Sequence, residues 1–144
     1  MEKNQEVLNA FMKAWKEENY DKMFDHCQKT WKEGRDLKTI ELLFSFIKLK
    51  NFRVLSTSTT NSVARRFTVE LTFDDGDKIV SVINLICETA PYKTATYGEW
   101  GVNPVSVIKV VKEISEKKQE KDLEEKPIKK PVKKGAGRSQ KSSK

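Results

Sequence analysis

The chain has 144 residues, enough for one domain with a hydrophobic core, and its 28 basic and 21 acidic residues give a net charge of +7. The excess is local, because residues 126–144 hold eight Lys or Arg and no acid, which leaves residues 1–125 at −1. The overall pI is therefore no argument for nucleic-acid binding by the folded part.

The first third of the chain predicts three helices. Apolar residues recur at helical spacing from about residue 4 to 17, with Asn4 as the predicted N-cap. A second stripe ends before Gly34, which suits the residue after a helix. Asp36 is the predicted cap of a third, shorter helix. The apolar positions of the three stripes are Val7, Leu8, Phe11, Met12, Trp15; Tyr20, Met23, Phe24, Cys27, Trp31; and Leu37, Ile40, Phe44.

The middle of the chain predicts an antiparallel sheet. Residues 65–73 alternate polar and apolar, and Asp75-Gly76 is expected to supply the positive-φ positions of a tight hairpin to the β-rich run 79–88. A strand from Phe52 with a Ser/Thr-rich edge precedes this hairpin, and a last strand reaches Trp100 or Val102. Asn103-Pro104 predicts the start of a closing helix, although its β-branched residues leave a strand possible. The fold class is thus α+β, with the N-terminal helices packed on the sheet.

The C-terminal part predicts no packed structure. We expect a domain over residues 1–114, then a mixed-charge segment that can extend the helix, within a tail over 115–144 whose Pro-, Gly-, Ser- and Lys-rich end is disordered. The functional interpretation is an arm that attracts nucleic acid or another polyanion without sequence preference. Its predicted contacts are Lys129, Lys130, Lys133, Lys134 and Arg138. A solubilising tail without a partner is an equal alternative.

The cysteine pattern favours reduced thiols in a cytoplasmic protein. Cys27 and Cys87 lack CxxC or Cys/His spacing, so we predict no metal site and no cofactor, and a disulfide between them stays possible. The N-terminus carries charges rather than a signal peptide's apolar run, and no segment has the roughly 18 apolar residues of a membrane span. We therefore expect no membrane association.

Three segments resemble the NTF2-like (cystatin-related, SnoaL-like) superfamily of α+β cone folds over about residues 4–110. They are AFMKAWKEENYDKM (10–23), FTVELTFDDGDKIVSVINL (67–85) and GEWGVNPVSV (98–107). The resemblance implies helices on a curved antiparallel sheet with a long central hairpin. It also implies either an enzyme working inside the cone or a domain without chemistry that binds, dimerises or assists.

The enzymes of this superfamily use carboxylate, Tyr or His groups among apolar walls. In the ketosteroid-isomerase-like members a tyrosine of the first helix contacts the substrate oxygen, and the matching position here is about Phe11, which has no hydroxyl. The lone His26 lies about 120° from the centre of its helical stripe and is expected on the flank or surface. These departures argue against the family's acid–base chemistry.

Six residues are candidates for a pocket or an interface: Trp15, Tyr20, Trp31, Asn84, Glu88 and Trp100. Asn84 and Glu88 interrupt an apolar strand, so they either project into a cone-shaped pocket or, as we favour, lie on a solvated sheet face. Trp15 and Trp31 are expected in the core, whereas Trp100 can equally line a site. Apolar residues on both faces of 79–87 favour a homodimer through the sheet.

The sequence leaves three functional hypotheses. We favour a non-catalytic binding or accessory protein that dimerises and whose tail attracts polyanions. The second hypothesis is a small-molecule isomerase or dehydratase that uses the cone, with an unknown ligand. The third is a winged-helix DNA-binding protein, although the candidate recognition helix over residues 36–47 is very apolar for a major groove.

Overall fold

The computed structural model of the chain describes residues 2–125, and the side chains of residues 2–117. In this part of the chain four helices precede five strands, and a fifth helix follows the strands. The elements are α1 (Lys3–Lys16), α2 (Tyr20–Asp25), α3 (Lys29–Lys32), α4 (Leu37–Phe44), β1 (Leu49–Asn61), β2 (Ala64–Phe73), β3 (Lys78–Ala90), β4 (Lys93–Thr94), β5 (Glu99–Asn103) and α5 (Val105–Glu125). The predicted α+β class is confirmed. Residues up to Lys112 form one compact unit, and the part of α5 from Glu113 belongs to a second.

The sheet is antiparallel, with the order β1-β2-β3-β4 and with β5 also paired to β3. Phe67 lies opposite Ile83 and Thr68 opposite Val82, so the alternation of β2 sends its apolar residues to the face on which the helices pack. Three register irregularities interrupt the β1–β2 ladder, and such bulges bend a strand. We call the opposite face, which carries Thr68, Glu70, Val80 and Val82, the outer face.

The β2–β3 turn differs from its prediction. Of the two expected positive-φ residues only Gly76 has one, at 92°, and the ladder closes at Thr72 opposite Lys78. The N–H of Phe73 donates to Asp77 O at 2.9 Å, and the N–H of Gly76 donates to Phe73 O at 2.8 Å. The connection therefore uses a longer turn than the two-residue hairpin that Asp-Gly favours.

Helix α1 buries the predicted apolar stripe but begins earlier than expected. Glu2 occupies the N-cap without a side-chain hydrogen bond, and the predicted cap Asn4 lies buried inside the helix. At the other end, Asn19 N–H donates to Ala14 O at 2.8 Å and Glu18 N–H donates to Trp15 O at 3.0 Å. These two bonds form a Schellman motif, in which Glu18 has a φ of 59°.

The second predicted helix is two helices. Its apolar residues have helical spacing throughout, but α2 ends at Asp25 and a new helix, α3, begins at Lys29. Between them Cys27 makes a parallel bridge to Val102 of β5, where the N–H of Gln28 donates to Val102 O and the N–H of Val102 donates to His26 O, both at 2.8 Å. Pairing with the sheet edge thus replaces the helical hydrogen bonds of this segment.

The two last predicted helices are present. Asp36 is the N-cap of α4 by position, although its side chain makes no cap hydrogen bond. Asn103 Oδ1 accepts the N–H of Val105 at 3.1 Å, so the closing helix starts where the Asn-Pro pair predicts. The α5 helix continues to Glu125 through the mixed-charge segment. None of the helices within residues 2–125 is long and apolar enough to cross a membrane.

Candidate functional site

The space between α1 and the sheet is filled by aromatic side chains. Trp15, Phe11, Phe44 and Phe73 are all buried, and the ring centroids of Trp15 lie 4.9 Å from Phe44 and 5.8 Å from Phe73. Trp15 Nε1–H donates to the carbonyl of Ile47 at 3.4 Å, which satisfies the one polar atom of the indole. Trp15 is therefore part of the core.

Trp31 and Tyr20 belong to the short helices α3 and α2. Trp31 is buried, with Phe24 at 6.5 Å between ring centroids and the guanidinium of Arg35 4.9 Å from its ring. Tyr20 is partly exposed, and burial followed by the nearby charges of Glu18 and Glu41 raises the pKa of its hydroxyl. The phenol therefore stays protonated at neutral pH, without the lowered pKa that would favour a proton-transfer role.

Asn84 and Glu88, which the sequence treated as a pair, have different environments. Asn84 is half-buried on the outer face, opposite Arg66, whose Nε lies 3.5 Å from Asn84 Oδ1. Glu88 is only 2% exposed, so the expected solvated position is wrong for this residue. Because Trp15 packs from α1 against Phe73 of the sheet, whereas Asn84 lies on the outer face, these two residues share no pocket.

The carboxylate of Glu88 is held by donors from the segment that enters α3. It accepts hydrogen bonds from Gln28 Nε2 at 3.1 Å, from the N–H of Thr30 at 3.1 Å and from the Thr30 hydroxyl. The Thr30 Oγ1 in turn accepts the N–H of Tyr92 at 2.8 Å. We call Gln28, Thr30 and Glu88 the Glu88 cluster. Both carboxylate oxygens already accept hydrogen bonds from this segment, so Glu88 ties α3 to β3.

Two glycines allow the chain to close around the Glu88 cluster. A Cβ at Gly101 would lie 2.6 Å from Gln28 Cα, and a Cβ at Gly98 would lie 2.5 Å from the carbonyl carbon of Glu88. Both contacts are with backbone atoms, which cannot rotate away as a side chain could. Any residue other than glycine would push β5 or the loop before it away from its neighbour.

Trp100 is the last of the six candidates. It is half-buried and lies opposite Cys87 in the β3–β5 ladder, while the neighbouring pair is Glu88 and Glu99. Directly opposite residues in an antiparallel pair share a face, so Trp100 lies on the same face of the sheet as Cys87. Glu99 is exposed and pairs with Lys29 at 2.9 Å. The cluster of Glu88 and the indole of Trp100 therefore lie on neighbouring positions of β3 and β5 but on opposite faces.

Burial controls the chemistry of the two thiols and the histidine. The pKa of the Cys27 thiol is raised to about 12 by burial, and burial also raises the pKa of Cys87. Both cysteines are free. His26 is half-buried, as its flank position predicts, and burial lowers the pKa of its imidazole. Within residues 2–125 no three or more His, Cys, Asp or Glu side chains are grouped as a metal site.

The sequence predicts a loop over residues 91–96 after the second strand of the hairpin, but sequence reasoning missed the exposure of its tyrosines. Tyr92 is 75% exposed and Tyr97 is 85% exposed, and Tyr92 has a φ of 65°. The only sequence signal for this geometry is Pro91, which favours the second position of a turn. The outer face also exposes apolar residues, with Val80 at 54% and Val82 at 40%. The five predicted basic contacts of the tail lie outside the described residues.

No family model and no curated protein matches this sequence. The solved structures include a similar fold, a SEC-C motif containing protein from Psychrobacter arcticus, with a TM-score of 0.55 and 10% identity. The match covers 69% of this chain and 57% of that protein, so this chain spans a little over half of its length. At this identity the likeness concerns the fold alone.

Proposed function

We propose that this chain is a non-catalytic binding or accessory protein of NTF2-like shape, which dimerises through its sheet and attracts nucleic acid or another polyanion with its basic tail. The observation that carries the proposal is the filled interior. The place between helix and sheet where a cone enzyme would hold its substrate is occupied by Trp15, Phe11, Phe44 and Phe73, all of them buried. Both oxygens of the buried Glu88 carboxylate accept hydrogen bonds from Gln28 and Thr30.

The outer face supports the dimer. Val80 and Val82 are exposed there beside polar residues, and Leu55 of the β1 bulge is 44% exposed. Arg53 and Glu70 form an ion pair at 3.5 Å on the same face, and Glu70 lies directly opposite Val80, so the face offers apolar and charged groups side by side, as protein interfaces do. A second copy of the chain would bury the valines of both partners.

The dimer is tested by sedimentation velocity of the full chain and of Val82→Lys. A charge on the outer face is expected to shift a dimer to monomer, because a buried unpaired ammonium is costly. Leu42→Lys is the matched control, since Leu42 is also exposed but belongs to α4. A monomeric wild type, or equal behaviour of both variants, would refute dimerisation through this face.

The role of the tail is tested with a full-length variant in which five basic residues become Gln: Lys129, Lys130, Lys133, Lys134 and Arg138. Fluorescence anisotropy with a labelled oligonucleotide at low and moderate salt compares it with wild type. We expect salt-sensitive binding that the five substitutions largely abolish. Equal affinities for both proteins would remove the tail from the proposal.

The other two functions have less support. A winged-helix protein needs an exposed recognition helix, whereas α4 buries Ile40 and Phe44 in the core. An isomerase or dehydratase needs titratable groups around a substrate, whereas Phe11 stands at the expected tyrosine position and is buried. The free, buried Cys27 and Cys87 support the proposed cytoplasmic location.

A further inference from the structure

Tyr92 occupies a backbone position that a tyrosine rarely takes. Ala90 pairs with Lys93, so Pro91 and Tyr92 are the two central residues of the β3–β4 turn. Proline fixes φ near −65°, and a positive φ at the next residue is the pattern of a type II turn, where Gly or Asn is usual. Tyr92 has a φ of 65° there, a conformation that a bulky residue adopts only when its surroundings enforce it.

The Glu88 cluster enforces this conformation. The N–H of Tyr92 donates to Thr30 Oγ1 at 2.8 Å, and the Thr30 hydroxyl is itself bonded to the buried Glu88 carboxylate. The backbone of Tyr92 is thus tied to the buried cluster while its ring is 75% exposed. Burial of the ring does not offset the backbone strain at Tyr92, which indicates that the exposed ring has a functional role.

A second exposed ring belongs to the same short loop. Tyr97 is 85% exposed, and hydrogen bonds hold the backbone around it, from Ala95 N–H to Cys87 O at 3.1 Å and from Gly98 N–H to Ala95 O at 3.0 Å. Residues 89–98 include Lys93 and no acidic residue. The segment 91–97, which we call the tyrosine loop, therefore offers two aromatic rings and a positive charge on an ordered backbone.

Helix α3, which contains Thr30, and the segment that follows it carry basic groups beside aromatic rings. Lys32 Nζ lies 5.8 Å from the Phe24 ring centroid, and the Arg35 guanidinium lies 4.9 Å from the Trp31 ring. Trp31 is buried, so this neighbouring segment contributes positive charge rather than a stacking ring. Exposed aromatic rings together with cations are what proteins offer to the bases and phosphates of single strands. A protein partner would favour a surface depleted in lysine, which this one is not.

We propose that the tyrosine loop is a stacking site for unpaired bases of single-stranded nucleic acid. The proposal rests on the proposed polyanion attraction of the tail, which has positive charges but no aromatic residue. The tail would supply contacts to phosphates and the loop contacts to bases. The backbone that carries the rings is held by hydrogen bonds before binding, so little entropy is lost in ordering the loop when a base stacks, and a small loop can contribute measurable affinity.

The test measures affinity of the full chain for an oligothymidylate of about 12 nucleotides, for a duplex of the same length and for heparin, which has charge but no bases. Tyr92→Asn and Tyr97→Ser are expected to weaken binding of the oligothymidylate by roughly 5- to 100-fold each, and to leave heparin binding unchanged. Tyr92→Phe and Tyr97→Phe keep the rings and are expected to bind within about 2-fold of wild type.

Three outcomes would overturn this proposal. One is equal binding of oligothymidylate by Tyr92→Asn and Tyr92→Phe; another is an equal loss of heparin binding in Tyr92→Asn. A third is a dimer that becomes monomeric in Tyr92→Asn, which would make the loop an interface between copies. Asn accepts a positive φ, so the melting temperature of Tyr92→Asn is not expected to fall and misfolding does not confuse the comparison.

The tail variant separates this proposal from the proposed function. If the five Gln substitutions abolish binding of heparin while the tyrosine variants bind oligothymidylate as wild type does, the tail function stands and the tyrosine loop is refuted. If the tail variant keeps oligothymidylate binding and Tyr92→Asn loses it, the tail is refuted and the loop stands. Cross-linking of an iodouracil-labelled strand to Tyr92 or Tyr97, mapped by mass spectrometry, would support the loop, and a label confined to other residues would refute it.

Discussion

Glu18 and Tyr92 have positive φ angles, and they are the two residues other than glycine to do so within residues 2–125. At Tyr92 we relate the strain to binding. At Glu18 the cause is local, because this residue fills the position after the α1 helix where a Schellman motif requires the left-handed conformation. The sequence could predict the interruption at Glu18-Asn19 but not its geometry, since Glu18 gives none of the signal that Gly34 gives.

Replacement of Glu18 by Gly is expected to stabilise the fold by about 0.5–1 kcal/mol, because glycine removes the left-handed strain and loses only part of that gain to unfolded-state entropy. The ion pair of Glu18 with Lys48, at 3.6 Å and half exposed, contributes little. Urea denaturation measures the change. Glu17→Gly is the control. Glu17 has a φ of −89°, where glycine relieves no strain, so this variant is expected to be less stable than wild type. A fall in stability for Glu18→Gly would contradict the assignment of strain.

The Cys27 thiol predicts a loss of stability at alkaline pH. Burial raises its pKa from 9.0 to about 12, so the folded state keeps a proton that the unfolded thiol loses above pH 9. Its contribution is complete below pH 9 and decreases as pH rises towards 12, by up to about 1.4 kcal/mol per unit. The free-energy difference of unfolding between wild type and Cys27→Ala should therefore shrink from pH 9 to 11. Parallel pH curves for the two proteins would show that the thiol is not protected.

The split between α2 and α3 shows what helical periodicity cannot reveal. The stripe from Tyr20 to Trp31 fits one helix, and nothing in its residues forbids one. The helix is interrupted because Cys27 and Gln28 satisfy the edge of β5, which lies more than seventy residues later in the chain. By contrast, the start of α5 was predictable, because the capping by Asn103 is local. Sequence patterns therefore predict structure that is determined by residues close together in the chain, and they miss structure that depends on contacts with distant residues.

The junction of α3 with β3 depends on the Glu88 carboxylate. Glu88→Gln is expected to destabilise the fold by about 1–3 kcal/mol, because one acceptor oxygen becomes an amide nitrogen, which cannot accept the hydrogen bonds that Gln28 and Thr30 now donate. Chemical denaturation measures the loss. Glu99→Gln is the matched control, because Glu99 also bonds a side chain of this region, Lys29, but is exposed and should cost at most about 0.5 kcal/mol. Equal costs for both variants would show that the cluster is not a structural tie.

For the whole molecule, the fold was predictable further than the site. The alternation in β2 and the helical stripes of the first third predicted the core, including Trp15 and Trp31. The six pocket candidates came from residue type and position in the apolar pattern, which do not tell which element covers a side chain. Glu88 is buried because α3 covers it, and Asn84, four residues earlier, has no such cover.

The charge distribution of the whole chain predicts a salt dependence. Neutralising the five basic tail residues lowers the net charge from +7 to +2. For a single strand each phosphate contact contributes about 0.7 to the slope of log affinity against log salt, so the slope should become shallower by up to about 3.5. Titrations at several salt concentrations measure it, with Tyr92→Asn as the control whose slope stays the same. An unchanged slope in the tail variant would place the phosphate contacts elsewhere.

The bridge between Cys27 and Val102 has a consequence during synthesis on the ribosome. The helices of the first 44 residues cannot reach their final arrangement until β5, at residues 99–103, has left the exit tunnel. Contacts that join distant parts of a chain form late and expose apolar surface meanwhile. The apolar faces of the newly made helices therefore stay uncovered for as long as it takes to translate the strand that completes their arrangement.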